Sequence, residues 1–556
     1  MNTLLSPEQL WNRYNDPEAD LNVRVASRGE NEDSVTGQVI IDGRIMDGAT
    51  ARISLRYTAA KDNRNLPAVI ILGRPGKAVS EEERRFYATD GFFAVSVDYS
   101  ACDPENPSVY PAGLGYCTFG NCGRYYDFVD ASAADTVWFN WTYSVRRAIH
   151  YLLTEEKCPT VSVVSYGDAS KIAAMILGVD ERVSAGAIIS GAIREKCEPE
   201  KLPGSEEQDA QSIAEFAGRG EEEALRRLTG IAPQTYLTMV KAPVLVMNGT
   251  NSFTIDVAAN EEAAGLVGEL CSMVLVPRGI DAVGPKYAEY VRRWLLKPEK
   301  HIRIPVEAFL KDGELCVKAD LVELSSVSEV RLFYRRGDKN PSAANWVEIA
   351  DTVHLFDSCE GQCEVVDPDE PVLFFCNAVR MGKLLSSEVH RVVPSELGEV
   401  KSNEKSRILY KGKQGRGEFV SLDPTKPRDY AFYRDNPVCA ATGPYEVAGV
   451  KGRYLSTFCL NDSKYVFDDG MTLNFDVYSK NESELSVYIT SMWGTNEQCV
   501  YRNTQKLVGG DLWQKISLPV SELKLFSGKA TDGGFRRMLL SFCCEDEIIV
   551  NNLLVI

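Results

Sequence analysis

Thr160-Val-Ser-Val-Val-Ser-Tyr-Gly-Asp-Ala-Ser-Lys-Ile-Ala-Ala-Met175 opens on a β-branched run (Val161, Val163, Val164), breaks at a small-residue turn and resumes as a helix over residues 171–177. A strand, a sharp turn and a helix in this order form the unit that displays a catalytic serine at its apex, written G-x-S-x-G. Laid on that pattern, Ser165 and Ala169 take the two small positions and Gly167 takes the nucleophile's. Glycine suits the strained backbone of such a turn at little cost, so the turn can persist without its hydroxyl.

Outward from this unit the chain alternates strands and helices. Pro67-Ala-Val-Ile-Ile-Leu72 and Phe92-Phe-Ala-Val-Ser-Val-Asp98 are continuous apolar runs, as expected of strands buried on both faces. Between them, residues 81–90 read as a helix closed by Gly91, and residues 133–154 form a long helix ahead of the turn. Ser184-Ala-Gly-Ala-Ile-Ile-Ser190 and Ala242-Pro-Val-Leu-Val-Met-Asn248 add two strands, with a helical segment over 206–228 between them. The alternation implies a mostly parallel sheet covered by helices. Residues 37–57 alternate apolar and polar around Asp47-Gly48, the pattern of an antiparallel hairpin.

These segments, together with Arg146-Arg147-Ala148 in the long helix, Asp180-Glu-Arg-Val183 and residues 243–251, arrive in the order and spacing of a known family. Residues 35–298 resemble the α/β-hydrolases of the acetyl-xylan-esterase and dienelactone-hydrolase type. The resemblance implies an α/β-hydrolase fold for a first domain, residues 1–298. It does not carry the activity, because function lives in the site.

Four working parts depart from the family's pattern. The nucleophile's place holds Gly167, which has no hydroxyl or thiol to activate. Where similar enzymes carry Gly-Thr-Asn-Asp, this chain has Gly249-Thr-Asn-Ser252, so Ser252 replaces the triad carboxylate and Asp256 lies four residues on. The loop expected to supply the histidine is Pro277-Arg-Gly-Ile-Asp-Ala-Val-Gly284, with Ile280 and no imidazole. His150, the one histidine of this domain, falls inside a helix between Ile149 and Leu152 and reads as packed on its covered face or edge. The oxyanion loop, His-Gly-Gly-Gly in the family, is Gly73-Arg74-Pro75-Gly76, and Pro75 has no N–H to offer developing charge. The expectation is therefore a pseudo-hydrolase without catalytic residues. The competing expectation is an active carbohydrate esterase using Ser165 or Ser170, and Asp168, Asp256 and Asp281 offer an acidic cluster for a metal or for water activation, although loose acidic residues are usually solvated surface.

Residues 100–132 form a long loop rich in glycine and aromatics, including Tyr116, Phe119, Tyr125 and Tyr126. Such loops are often functional. Two readings stand: flat faces that stack on sugar rings, or a lid that plugs a disused cleft.

At 556 residues the chain exceeds one core, and three domains are expected. A net charge of −18 excludes the basic footprint of a nucleic-acid binder and disfavours an anionic membrane. No apolar run approaches the ~18 residues of a membrane-spanning helix, and the N-terminus lacks the pattern of a secretory leader. Fifteen irregularly spaced cysteines, with only four histidines, read as free thiols in a reducing, cytoplasmic setting. No metal site or cofactor is expected.

Beyond the connector Lys297-Pro-Glu-Lys-His301, short strands at close spacing predict a fibronectin-III or immunoglobulin-like sandwich over 302–393, with strands at 314–321, 329–334, 346–350, 362–366, 372–379 and 388–393. After a polar linker, residues 406–556 resemble a galactose-binding-like jelly roll of the carbohydrate-binding-module kind. The segments carrying this are Trp513-Gln-Lys-Ile-Ser-Leu-Pro-Val-Ser-Glu-Leu523 and Ile548-Ile-Val-Asn-Asn-Leu-Leu-Val-Ile556. Sugar modules stack their ligand on exposed aromatics, which makes Tyr430, Tyr433, Tyr445, Trp493 and Tyr501 candidates. The partner expected is a carbohydrate or a protein. A purely structural assembly role is the third alternative, and the oligomeric state stays open.

Overall fold

Nine strands make the first sheet of the computed structural model: Arg24–Glu30 (β1), Ser34–Met46 (β2), Ala49–Ala60 (β3), Ala68–Leu72 (β4), Phe93–Val97 (β5), Val161–Tyr166 (β6), Val183–Ile189 (β7), Val244–Gly249 (β8) and Cys271–Val276 (β9). The structure describes all residues except 1–3, 15–17, 47, 62–64, 115, 117, 196–219, 253–254, 281–283, 325, 426–437, 469, 496 and 531–533. The strand order is β1-β2-β3-β5-β4-β6-β7-β8-β9. β1 to β3 form an antiparallel meander, β3 runs antiparallel to β5, and all later pairs are parallel. Helices fill the crossovers, and the first unit has the α/β-hydrolase fold.

The apolar runs are strands because helices cover both faces. β4, β8 and β9 are buried along their whole length, and their side chains divide between two core clusters, one on each face. Helix Glu81–Ala88 starts at a capping box of Ser80 and Glu83. The long helix begins at Val137 rather than 133, because the Thr136 hydroxyl caps it by accepting the Phe139 N–H at 3.3 Å. Of the helix expected over 206–228, the structure describes Glu221–Gly230, and residues 206–219 lie outside the described residues.

The second unit is an antiparallel sandwich of a four-stranded and a five-stranded sheet. The strand expected over 362–366 lies instead at Ser358–Cys363, where alternation turns Cys359, Gly361 and Cys363 inward. Strands Val306–Lys311 and Lys383–Ser386 had no expectation. The third unit is antiparallel throughout and is strung on one 17-residue strand, Leu539–Val555. Its first half pairs with Ser483–Ser491 and its second half with Thr472–Ser479. One strand thus serves both layers of a sandwich.

The units share their cores. β9 is the edge of the first sheet, and the second unit covers it: the Ser386 hydroxyl accepts the Leu275 N–H (2.9 Å), and Asn377 donates Nδ2–H to the Leu275 carbonyl (3.0 Å). An exposed row of backbone donors and acceptors is thereby satisfied. Val379 and Leu384 join the cluster of Val276, Val291 and Trp294. Between the second and third units, the buried Arg336 guanidinium donates to both Asp462 carboxylate oxygens at 2.8 Å. The thirteen described cysteines are free thiols. No described helix is long and apolar enough to cross a membrane.

Candidate functional site

The elbow forms as its sequence dictates. β6 ends at Tyr166, Gly167 takes φ +57°, and a short 3-10 turn over Gly167–Ala169 feeds helix Ser170–Val179. That left-handed backbone is costly for most side chains. A Cβ placed on Gly167 would lie 2.9 Å from Arg74 Nε and 3.0 Å from its Cζ. The guanidinium of the loop that would form the oxyanion hole therefore fills the space a reactive side chain would need.

The alternative hydroxyls are sealed. Ser165 is fully buried within β6, and among the described residues its Oγ has no hydrogen-bond partner. Ser170 is 2% exposed and donates its Oγ–H to the Ala192 carbonyl at 2.8 Å. Gly191 presses on it so closely that a Cβ there would meet Ser170 Cβ at 2.4 Å. No imidazole faces this turn. His150 sits near the end of its helix, among Arg182, Arg147, Glu18 and Glu155. Arg182 immediately precedes β7, and so lies at the sheet edge opposite the elbow, because the strands are parallel. His354 and His390 are on strands of the second unit, and His301 is in the connector leading to it.

The oxyanion loop is committed elsewhere. The Gly73 carbonyl accepts the Tyr99 hydroxyl, and the Gly76 N–H donates to Ser100 Oγ at 3.0 Å. Phe119 lies against Gly76, where a Cβ would come within 2.4 Å of its ring. Of the aromatic loop's candidate sugar platforms, the structure removes Tyr116. Tyr116 is 2% exposed and donates its hydroxyl to the Thr136 carbonyl. Phe119 meets Tyr126 edge-on at 5.7 Å, Tyr126 packs on Trp138 at 4.8 Å, and Tyr125 packs on Tyr116 at 5.3 Å. These rings pack, tilted or edge-on, against one another and against Trp138 and Trp141 of the long helix. They form a plug whose outer rim alone, Phe119 and Tyr125, reaches solvent.

The loops after β8 and β9 pack against the other two units. Asn251 donates Nδ2–H to the Ala344 carbonyl at 2.8 Å and to that of Ser342 at 3.4 Å. Ser252 Oγ accepts the Ile255 N–H, and Asp256 caps helix Val257–Val267 by accepting from Ala258 and Ala259. Asp281 lies outside the described residues. Ile280 packs into a junction of all three units with Ala343, Phe458, Trp493 and Leu539. Beside it Arg278 is buried and donates Nη1–H to the Gly417 carbonyl at 3.2 Å. Burial pushes that guanidinium down to about 10.

Trp493 corrects a second expectation: it is fully buried at this junction, so it is not a surface sugar platform. Tyr501 is half-buried against Phe535, edge-on at 5.0 Å. Tyr430 and Tyr433 lie outside the described residues. Tyr445 differs. It is 77% exposed at an open cleft of about 410 Å³, whose other lining includes Thr442, Tyr478 and Asp511. Sequence had singled out only Tyr445 of these. Tyr478 sits at an outward position of a strand, and the signal for it was the strand's alternation.

No protein-family model matches the chain, and no curated protein matches it. Among solved structures it is similar to an acetyl xylan esterase from Paenibacillus sp. R4, at 16% identity, with 52% of this chain and 91% of that one covered and a TM-score of 0.42. It is also similar to acetyl xylan esterase 1 from Thermoanaerobacterium sp. JW/SL YS485, at 14% identity, 53% and 95% coverage and a TM-score of 0.42. A CE15 glucuronoyl esterase from Teredinibacter turnerae T7901 matches at 14% identity, 46% and 67% coverage and a TM-score of 0.32.

Proposed function

We propose that this chain is a catalytically degenerate, esterase-like protein that acts by binding a carbohydrate or a protein partner rather than by turnover. The observation that carries this reading is Arg74 standing in the space above Gly167. Ester hydrolysis at such a turn requires an activated nucleophile and donors aimed at the oxyanion. Here the apex carries no oxygen, Pro75 has no N–H, and the Gly76 N–H is already spent on Ser100. The loops that would bring acid and base hold the β-rich units in place instead, through Asn251 and Ile280. Losing one part of a catalytic unit costs orders of magnitude in rate, and several are lost together.

The test is to incubate the full chain with a fluorophosphonate probe and to follow aryl acetate hydrolysis. Neither labelling nor turnover above buffer is expected. Labelling that disappears in Ser165→Ala or Ser170→Ala would replace this reading with an active serine hydrolase.

A further inference from the structure

The open cleft of the third unit has the makings of a built site. It offers about 410 Å³, open to solvent, between strand Cys439–Thr442 and the loop after Leu507, within the range of roughly 300–1,000 Å³ usual for small-molecule sites. Tyr445 stands at its mouth, 77% exposed. Behind it, the half-buried rings of Tyr478 and Trp513 lie 6.0 Å apart.

The turn that presents Tyr445 is a braced hairpin tip. Tyr445 (φ 58°) and Glu446 (φ 58°) are the two central residues of the turn joining Cys439–Thr442 to Ala448–Thr457, where two consecutive left-handed residues match the twist of the flanking strands. The Gly443 N–H donates to the Val447 carbonyl at 2.9 Å, and the Trp513 indole N–H donates to the Pro444 carbonyl at 3.1 Å. The indole also fills the space a Cβ on Gly443 would need, 2.6 Å away. The turn holds a large ring out over the cleft, where it is exposed.

We propose that this cleft binds an uncharged pyranose unit of a glycan. Tyr445 and Tyr478 supply aromatic faces for the apolar side of a sugar ring, while the Asp511 carboxylate and Thr442 hydroxyl supply hydrogen-bond partners for its hydroxyls. No cation lines the cleft, and Asp511 with the neighbouring exposed Glu446 repels uronates, sulfated sugars and phosphates. The proposal rests on the reading of the chain as a binder, and it stands whether or not the elbow is inert.

The full-length chain is screened on an array of neutral and uronate-containing oligosaccharides, and the best soluble binder is titrated by calorimetry. A neutral oligosaccharide is expected to bind, with affinity falling at least tenfold in Tyr445→Ala and at least threefold in Asp511→Asn. Tyr125→Ala, on the rim of the aromatic plug, is expected to bind like the wild type. An unchanged melting temperature in Tyr445→Ala shows that its loss of binding is local. Binding that survives both cleft substitutions, or that falls only in Tyr125→Ala, overturns this site while leaving a glycan-binding role intact. Binding of uronate-containing glycans alone overturns the uncharged-sugar assignment while leaving a glycan-binding role, and binding of no glycan overturns the proposal and leaves a protein partner.

Discussion

The Arg74 side chain occupies the space above Gly167: its Nε lies 2.9 Å from the point where a Cβ on Gly167 would stand. Gly167→Ser must displace the guanidinium and hold a Cβ at φ +57°. Overpacking and left-handed strain each cost about 1–3 kcal/mol, so a loss of about 2 kcal/mol in urea denaturation is expected. No fluorophosphonate labelling should appear, since no imidazole is in place to activate the new hydroxyl. The double variant Arg74→Ala/Gly167→Ser should recover part of the stability. If Gly167→Ser proves as stable as the wild type, the two residues do not compete for space.

Asn251 tests whether the loop after β8 fastens the first unit to the second. Its amide N–H groups point at two carbonyl oxygens, of Ala344 and Ser342, across the boundary between the first and second units. Asn251→Asp replaces a donor by an anion facing acceptors, in a residue that is fully buried. A buried group left without its partner costs about 1–3 kcal/mol, and more when charged. The expected result is a fall in stability of at least about 2 kcal/mol with no ester turnover. A variant of unchanged melting temperature would show that the loop carries no docking load.

The parts of this architecture that were legible in the sequence are those set by local pattern. β4 and β8 could be read because a strand buried on both faces needs an unbroken apolar run. Gly167 could be read because a strand–turn–helix unit has few ways to be written. What the sequence could not show was which distant segments meet. Ile280 reads as a missing histidine, yet its environment comes from Phe458 and Trp493 in another unit. Trp493, beside a glycine, reads as an exposed loop tryptophan and is in fact the plug of a three-way junction. The aromatic loop left two outcomes open, because its composition is the same whether its rings meet a ligand or Trp138 and Trp141.

Arg336 and Asp462 had no local signal at all, and they tie the second unit to the third. Each side chain is 1% exposed, and Asn345 adds a hydrogen bond to the carboxylate at 3.0 Å. Asp462→Ala would leave the guanidinium buried with only the more exposed Glu364 as an anionic partner. Breaking such a pair from one side costs about 3–5 kcal/mol. Calorimetry of this variant should show the third unit melting in a separate, earlier transition. Replacing both members by apolar residues of similar size should restore most of the loss, since the attraction then has no desolvation to offset. One transition at the wild-type temperature in Asp462→Ala would contradict this coupling.

Glu261 makes the joint between the first two units sensitive to pH. Its carboxylate accepts the Val389 N–H at 3.0 Å, but burial, joined by the nearby Glu388 and Asp256, pushes it up to about 7. An unfolded glutamate titrates near 4.3, so between those values the folded chain holds a proton that the unfolded chain has released. Stability from this group is therefore fully present below about pH 4 and is lost as the pH rises through about 7. Glu261→Gln keeps an oxygen for the Val389 N–H and removes the ionisation. Its stability relative to the wild type should grow between pH 5 and pH 8 by on the order of 2 kcal/mol, read from denaturant titrations at the two pH values. An advantage of the same size at both would mean that Glu261 ionises as freely in the folded chain as in the unfolded one.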